Sequence, residues 1–426
     1  MPNPPPVQLQ RHAHRRATRL RRALIAGSAL LGGGLAVAAA QPAPPVAATY
    51  PLAELLPDSE FVYGPSLDGW DAAAFVAEQG GFLASYRETV DGTALGGAEI
   101  VTRVAEDYSV NTRMLLALIE MHSGWVRSPN PAERNFPVGE PLPGLQAGLS
   151  AAADALNGFY YAHRFSAERS APLVDGGAVE IPATKSATFA LLAYLGRGAT
   201  AQAWAGLEAP SRFYGTWMGL FGDTSNYVGE TAVPTQPPPV PLKLPFPAGE
   251  VWYLVAGPHS AWGASGPRAA IDFAPPPAAA TGCTPSVAWV TAAAPGLVTR
   301  SRASGVVVSL GGSVFEGTAW AHVYTHLSAV DRVPARTHVR AGDRLGHPSC
   351  EGGLPTQTRV VFARRYSGEW IPADFDAAPL SMDDWTALPG GSPGEGWLIR
   401  TGIAPRAASP AKVDGANGIA AIPGGP

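Results

Sequence analysis

Several features that would narrow the range of functions are scarce or missing in this sequence. Its 426 residues include two cysteines, and lysine occurs only at Lys185, Lys243 and Lys412. The formal net charge of −4 gives no electrostatic reason to expect nucleic acid or an anionic membrane as a partner. We find no repeat with a period of about 20–50 residues and no glycine-rich nucleotide loop. Repeat architectures and nucleotide loops are therefore excluded as a basis for function.

Glycine and proline, in contrast, are abundant. The chain contains 49 Gly and 43 Pro, and they concentrate at both ends and in one internal stretch. Hydrophobic residues make up 46% of the chain, which is ample for folded cores. The length favours two domains with flanking tails.

The first 40 residues have the composition of a secretion signal. Six arginines form a basic region: Arg11, Arg15, Arg16, Arg19, Arg21 and Arg22. An uncharged run follows up to Ala40, where small residues offer a cleavage site before Gln41. The run is close to the shortest length that spans a membrane, so an uncleaved N-terminal anchor is the alternative. Either way, we expect an extracytoplasmic protein, secreted or anchored, with a short spacer at residues 41–51.

Residues 52–230 are predicted to form a helical domain. Apolar residues at helical spacing predict four helices: residues 97–108, a helix from Asn111 to Gly124, one around residues 149–156, and residues 188–195. Asn111 is the predicted N-cap of the second helix, and Thr184 or Ser186 is that of the fourth.

The second of these helices carries Glu120, followed by His122, Ser123 and Gly124. It resembles the helix that holds the catalytic glutamate in lysozyme-like lytic transglycosylases, although that family places its glutamate directly before the serine, where this chain has His122. Glu120 lies two positions earlier, roughly 200° around the helix. The resemblance therefore implies a lysozyme-like fold for this domain, while a solvated Glu120 without a catalytic role is the competing interpretation.

Composition divides the second half of the chain into three parts. Seven prolines between residues 231 and 249 predict a semi-rigid polyproline II linker. Residues 250–404 are predicted to form a β domain, and residues 405–426 a disordered tail rich in Ala, Gly and Pro. The predicted strands are residues 251–255, 270–273, 287–291, 297–300, 306–310, 320–326 and 358–363.

Candidate metal ligands lie within the β domain. His259 opens a loop and Asp272 closes a short apolar strand, so the two side chains can converge. An imidazole nitrogen and a carboxylate oxygen are good ligands for Zn²⁺. In the predicted strand 320–326, His322, Tyr324 and His326 are expected on one face because side chains alternate along a strand.

These motifs, together with a glycine-rich turn at residues 346–353, resemble the lysostaphin-type (LytM-like, beta-lytic) zinc metallopeptidases over residues 252–385. The resemblance implies a mostly antiparallel β domain of the LytM type, one zinc ion, and hydrolysis of peptide cross-links in bacterial cell walls. Carried over to this sequence, it makes His259 and Asp272 metal ligands and His326 a catalytic residue.

One motif departs from the family. The expected Thr-His-x-His-Phe falls on residues 358–362, which read Thr-Arg-Val-Val-Phe. Arg359 and Val361 share one strand face, so a third zinc ligand and a second catalytic histidine are replaced on the same wall of the site. Valine binds no metal, and the Arg359 charge repels a cation. We therefore expect weak or absent zinc binding, unless His322 rebuilds the ligand set.

Two functions follow as hypotheses. The first is a non-catalytic cell-envelope protein that binds peptidoglycan, its stem peptides or another cell-wall hydrolase. The second is an active zinc endopeptidase with a rebuilt third ligand, so whether the protein is an enzyme stays open. In either case Cys283 and Cys350 are expected to pair in an oxidising compartment, and a loop of this length would contribute about 4 kcal/mol of stability. Two reduced thiols are the alternative.

Overall fold

The computed structural model describes residues 54–182, 185–206, 208–223, 236–276, 282–283, 286–303, 305–352, 357–409 and 416–421. The secretion signal predicted at residues 1–40 and the spacer at residues 41–51 lie outside the described residues. Residues 46–426 belong to one compact unit.

Helices dominate the described residues up to 223. Two 3₁₀ turns (Asp58–Glu60 and Pro65–Leu67) precede α1 (Ala72–Gln79), α2 (Phe82–Ser85), α3 (Gly97–Tyr108), α4 (Thr112–Ser123), α5 (Leu145–Ser166), α6 (Ser186–Gly196), α7 (Ala201–Ala205) and α8 (Ala209–Phe221). In the part of the chain that the structure describes, none of the helices is long and apolar enough to cross a bilayer.

The four predicted helices are confirmed as α3, α4, α5 and α6. The Asn111 side chain accepts a hydrogen bond from the Arg113 amide, and α4 ends at Gly124 in the left-handed conformation. The predicted cap of α6 is wrong for Ser186, because Ser186 is already the first helical residue and Lys185 precedes it without a side-chain capping bond. Thr184 lies outside the described residues.

Strands dominate the rest of the chain. The strands are β1 (Arg87–Val90), β2 (Thr93–Gly96), β3 (Ser170–Pro172), β4 (Ala178–Glu180), β5 (Val251–Ser260), β6 (Arg268–Ala274), β7 (Val290–Thr291), β8 (Gly296–Arg302), β9 (Gly305–Ser309), β10 (Trp320–Thr325), β11 (His338–Val339), β12 (Arg344–Gly346), β13 (Val360–Tyr366), β14 (Glu369–Trp370), β15 (Ser381–Met382), β16 (Trp385–Pro389), β17 (Gly396–Arg400), β18 (Ile403–Ala407) and β19 (Gly418–Ala420).

The main sheet is antiparallel throughout, as predicted for the β domain. Its strand order is β11-β8-β9-β10-β13-β6-β5-β19, with β14 beside β13. A second antiparallel sheet has the order β15-β16-β17-β18. The fold class predicted from the sequence, helices followed by a mostly antiparallel β region, is therefore confirmed.

Both faces of the main sheet are covered. Because side chains alternate along β10 and β13, Val323 and Val361 face the helices, where they join the larger hydrophobic core. Tyr324 and Phe362 point to the opposite face and belong to a second core, built from the β region alone. The helical region thus packs on one face of the sheet and shares a core with it. The core on the other face contains no residues from the helices.

Buried polar groups join the helices to the sheet. Arg365 of β13 donates to Glu316 (2.6 Å), and Glu316 also pairs with Arg300 of β8 (3.1 Å). Arg300 in turn reaches Asp107 of α3 at 2.9 Å. Buried charges are tolerated when each has a partner. Residues 231–249 therefore separate a helical part of the sequence from a β part, but the two parts pack directly against each other.

The predicted proline-rich linker is wrong as a free spacer over its described part, residues 236–249. Leu242, Leu244 and Phe246 are buried in the second core. The carbonyl of Pro238 accepts a hydrogen bond from the Trp320 indole at 2.8 Å. The apolar residues alternate at positions 242, 244 and 246, and this period of two indicates an extended segment lying on a surface.

The predicted disordered tail is wrong in its described residues. Residues 405–407 belong to β18, and β19 pairs with β5 at the edge of the main sheet. Ile419 is fully buried, and the Asn417 side chain donates to the Leu254 carbonyl at 3.0 Å. A single isoleucine among Ala and Gly is enough here because an open sheet edge supplies the backbone partners.

The packing of the proline-rich segment can be tested with Leu244→Ala. Leu244 is 1% exposed, so the substitution leaves a cavity and should lower the free energy of unfolding by about 2–5 kcal/mol. Urea unfolding followed by tryptophan fluorescence measures this change. Lys243→Ala, at the exposed neighbouring position, should change stability by less than about 0.5 kcal/mol; equal effects of the two substitutions would contradict the packing described.

Candidate functional site

The candidate site is built around the carboxylate of Asp272. Its side chain is 3% exposed, in the middle of β6. Val361 of β13 lies directly opposite Asp272, and Thr325 of β10 lies opposite Val361, so the three side chains form a row on the helix-facing side of the sheet. A carboxylate in such a place needs charged or hydrogen-bonding partners on both oxygens.

His259 supplies the first partner. It lies near the end of β5, where shifts in register between β5 and β6 bring its ring to Asp272. Nε2 is 2.7 Å from Asp272 Oδ1, and Nδ1 is 2.7 Å from the Ser260 carbonyl oxygen. Since both of these oxygens accept, both ring nitrogens donate, and the imidazole is held as its cation. The convergence of His259 and Asp272 predicted from the sequence is present in the structure.

Arg359 supplies the second partner. Its Nη1 donates to Asp272 Oδ2 at 2.8 Å, and its side chain is 17% exposed. Arg359 precedes β13 by one residue and reaches the face on which Val361 lies, as the sequence predicts. The sequence predicts that Arg359 repels a cation. In the structure the guanidinium itself takes the place of a cation beside Asp272. Asp272 is thereby bound on both oxygens, and we call Asp272, His259 and Arg359 the ion triad.

The electrostatics of the ion triad are mutually supporting. Burial disfavours the charged ring, but the Asp272 carboxylate and the hydrogen bond to it more than offset this, so the pKa of His259 is raised above its ordinary value of 6.5. Burial likewise opposes ionisation of Asp272, yet His259 and then Arg359 hold its pKa below the ordinary value of 3.8. Both shifts favour the charged forms, so His259 and Asp272 stabilise each other as an ion pair.

These residues do not fit a zinc ion. The position of the third ligand is filled by Val361, which is 5% exposed and has no donor atom. His259 Nε2 is 2.7 Å from Asp272 Oδ1, so a metal would have to displace the proton shared between them. Within the described residues no group of three or more His, Cys, Asp or Glu side chains could hold a metal ion.

His326 lies beside the ion triad but is positioned by a different device. β10 ends at Thr325, and His326 has φ +63°, a left-handed conformation that few residues other than glycine adopt. Its Nδ1 is 2.8 Å from the Glu351 carbonyl oxygen, and its own carbonyl accepts from the Ser349 amide at 2.7 Å. Burial lowers the pKa of His326, so the ring is neutral at neutral pH.

The prediction of one shared face for His322, Tyr324 and His326 is therefore wrong for His326. His322 and Tyr324 both contact Phe362 on the face away from the helices. The left-handed residue at the end of the strand breaks the alternation and turns His326 toward Asp272. His322 lies on the opposite side of the sheet from the ion triad, so it cannot replace the missing third ligand.

The predicted disulfide between Cys283 and Cys350 is confirmed. Cys350 lies between Ser349, which forms a bridge with Arg359, and Glu351, which binds the His326 ring. The segment next to Cys283 is held as well, since the Gly282 carbonyl accepts from the Thr358 amide at 2.9 Å. The disulfide thus fixes both chain segments that position His326 and Arg359.

The helices leave little room along the sheet next to the site. Trp262, in the loop after β5, packs against Tyr108 of α3. Asp154 of α5 holds the same loop by accepting from the amides of Ala264 (2.9 Å) and Ser265 (3.0 Å). The cavity between Trp262 and β10 measures about 20 Å³, which is space for about one water molecule.

Glu120 of α4 has a structural role. Its Oε2 accepts hydrogen bonds from the amides of Val126 and Arg127, both at 3.1 Å. These bonds hold the chain where it leaves the helix, because the amides of Val126 and Arg127 lie beyond its last turn and need a partner outside the helical hydrogen-bond pattern. The Glu120 carboxylate is therefore bound by backbone amides, and the structure gives no support for a catalytic glutamate in this helix.

Comparison with protein families gives one match. Residues 54–235 match the family model of the LasA N-terminal domain. The match covers the helical region that the sequence likens to lysozyme-like enzymes and stops before β5, so it does not include the ion triad. No curated protein matches the chain.

Solved structures give distant matches. Pseudoalterin, an M23 metalloprotease from the deep sea, is 22% identical, with 40% of this chain and 95% of that chain covered and a TM-score of 0.32. The catalytic domain of the prophage-encoded M23 protein EnpA from Enterococcus faecalis is 19% identical (29% and 89% covered, TM-score 0.21).

A zinc-containing peptidase from Vibrio cholerae is 18% identical to this chain (35% and 40% covered, TM-score 0.21). All of these neighbours are M23-type or zinc peptidases, the class that residues 252–385 resemble. With TM-scores below 0.5, the likeness carries no argument about activity.

The protonation of the ion triad predicts a pH dependence that can be measured. Asp272→Asn should lower the pKa of His259, because burial, the largest cause, and the charge of Arg359 would then be opposed only by the hydrogen bond to the Ser260 carbonyl. Titration of the histidine ring signals by NMR measures this shift. Asp384→Asn, at an exposed carboxylate, should leave the His259 titration unchanged.

The same groups set the sign of the stability change with pH. The raised pKa of His259 adds its full stabilising free energy below the unfolded pKa of about 6.5, and this stabilisation is lost as pH rises through the higher folded pKa. Asp272 contributes above about 3.9, and its contribution is lost as pH falls through the lower folded value. A His259 pKa that does not respond to Asp272→Asn would contradict the ion triad.

Proposed function

We propose that this chain is an exported, non-catalytic cell-envelope protein whose peptidase-type β region binds peptidoglycan stem peptides. Its β region has the antiparallel sheet of that class, and an ion triad stands where the family resemblance predicts a metal. A partner hydrolase of the cell wall is the second kind of ligand that such a surface would serve.

One observation carries the proposal: the positive charge that balances Asp272 comes from the protein itself. Arg359 and His259 occupy both carboxylate oxygens at 2.8 and 2.7 Å. A zinc ion would have to displace a guanidinium and a proton and would gain only two protein ligands. A scaffold built in this way is suited to binding peptides and lacks the Lewis acid that would polarise their carbonyl groups.

Three further observations support an envelope location and a cell-wall ligand. The basic and apolar first 40 residues have the pattern of an export signal. The Cys283–Cys350 bond is typical of an oxidising compartment. The helical region matches the LasA N-terminal domain over residues 54–235.

Zinc content tests the non-catalytic part of the proposal. The purified full chain, loaded with zinc and then desalted, should contain far less than one zinc per chain by mass spectrometry. It should release no peptides from isolated sacculi, yet it should co-sediment with them. Near-stoichiometric zinc that is lost on His259→Ala would overturn the proposal and favour an active endopeptidase, and failure to co-sediment would overturn the peptidoglycan ligand.

A double substitution tests whether Arg359 and Val361 are the two changes that removed the metal. Arg359→His with Val361→His should bind zinc at least tenfold more tightly than either single variant. Val361→His alone adds a ligand opposite Asp272 but keeps the guanidinium on the carboxylate. Arg359→His alone frees the carboxylate but leaves too few ligands.

The two effects act on one metal ion and should be non-additive. Calorimetric zinc titration of the four proteins gives the coupling free energy. If the double variant binds no more zinc than the parent, the correspondence of residues 358–362 with the family motif is wrong.

A further inference from the structure

A second candidate site lies on the other face of the main sheet, away from the ion triad. It is a cavity of about 250 Å³ between β10, β13 and the proline-rich segment. His322 and Arg364 are direct neighbours across β10 and β13, and Trp320 lies beside them. The rim is formed by exposed residues of two loops, Pro239 on one side and residues 377–379 on the other.

The buried arginine in this cavity lacks a counter-ion. Arg364 is 5% exposed, and its guanidinium donates to the carbonyl of Ala378 at 2.7 Å and lies over the Trp320 ring. A second, longer hydrogen bond runs from Nη1 to the Pro379 carbonyl at 3.4 Å, while Nε has no hydrogen-bond partner. Both of these acceptors are neutral carbonyls, and no ion pair joins Arg364 to a carboxylate among the described residues. Burial lowers the pKa of Arg364 to about 10, since no negative charge offsets the loss of water.

The other buried arginines show what is usual in this protein. Arg113 is also 5% exposed and pairs with Glu60 at 3.4 Å. Arg365, the next residue along β13, is fully buried and pairs with Glu316. A buried charge is ordinarily matched by an opposite one. Arg364 is therefore the exception among the buried arginines of the described chain.

His322 adds a second unsatisfied group at the same place. It is 1% exposed, and neither ring nitrogen has a hydrogen-bond partner within the described part of the chain. Burial, and then the charge of Arg364, lowers the pKa of His322 to about 3, so the ring is neutral at neutral pH. A neutral imidazole offers one N–H donor and one acceptor. Buried groups of this kind are rare without a ligand or an ordered water.

The cavity chemistry selects one class of ligand. One guanidinium and one neutral N–H donor match the single charge and two oxygens of a carboxylate, whereas a doubly charged phosphate would need more donors. The walls contributed by Val240, Leu242 and Trp320 are apolar. The volume of about 250 Å³ leaves room for a carboxylate together with a short aliphatic group. The open rim allows a chain to continue outward.

We propose that the cavity lined by Trp320, His322 and Arg364 binds a carboxylate carried by a short apolar residue, either a free small acid or the C-terminus of a peptide. Arg364 meets the charge, and His322 donates to the second oxygen. This site lies on the opposite face of the sheet from the ion triad and does not depend on the proposed function.

Binding can be measured by NMR titration of the full chain with N-acetyl-alanine and N-acetyl-alanyl-alanine, each as the acid and as the C-terminal amide, in both chiral forms. The acids should shift the ring signals of His322 and bind at least tenfold more tightly than the amides. Tighter binding of the dipeptide acid assigns the site to peptide C-termini, and equal binding assigns it to free acids. Inorganic phosphate, an anion of a different chemical class, is titrated in the same way so that its affinity can be compared with that of the acids.

Variants locate the binding. Arg364→Gln should weaken binding of the acids at least tenfold, and His322→Phe should weaken it while filling part of the cavity. Arg340→Gln, at an exposed arginine, should leave binding unchanged. Equal binding of acid and amide, tighter binding of phosphate than of either acid, or an unchanged affinity in a folded Arg364→Gln protein would overturn the proposal. If Arg364→Gln does not fold, the comparison of acid with amide on the parent chain decides by itself.

Discussion

The arrangement of residues around the site, on the helix-facing side of the main sheet, depends on one buried carboxylate. Asp272 is 3% exposed and is ionised only because His259 and Arg359 hold its two oxygens. Removing either partner would leave one oxygen of this buried carboxylate without its hydrogen bond, which ordinarily costs about 1–3 kcal/mol. The bulged end of β5, the bridge before β13 and the disulfide all serve to bring these partners together. Charge compensation at Asp272 therefore accounts for local geometry that hydrophobic packing alone does not require.

Sharing of the sheet between two cores explains why the helical and β regions form one unit. One face supplies small residues such as Ala270 and Ala363 to the helices, while the other buries Phe362 and Tyr324. Polar links are buried here too: Asp107 of α3 pairs with Arg300 of β8, and the Tyr160 hydroxyl of α5 donates to Glu369 of β14, so they also fix the orientation of the helical layer.

Local sequence signals predicted what depends on local physics. The periodicity of residues 97–108, the cap at Asn111 and the alternation along β13 all agree with the structure, and so does the convergence of His259, Asp272 and Arg359. The errors have tertiary causes. Prolines at residues 236–249 predict an extended chain but not the surface on which it lies, and Ile419 finds a sheet edge that no local pattern reveals. The left-handed His326 depends on partners 23 and 25 residues away.

The two neighbouring arginines of β13 have a consequence for how this strand can fold. Arg364 and Arg365 point to opposite faces, and a slip of one residue would exchange them. The charge on each face would survive the exchange of these two residues, but the same slip would turn Arg359 away from Asp272. Val361 and Phe362, whose sizes fit different cores, would also exchange faces. Two independent constraints, one of charge and one of size, thus hold the central strand in a single register.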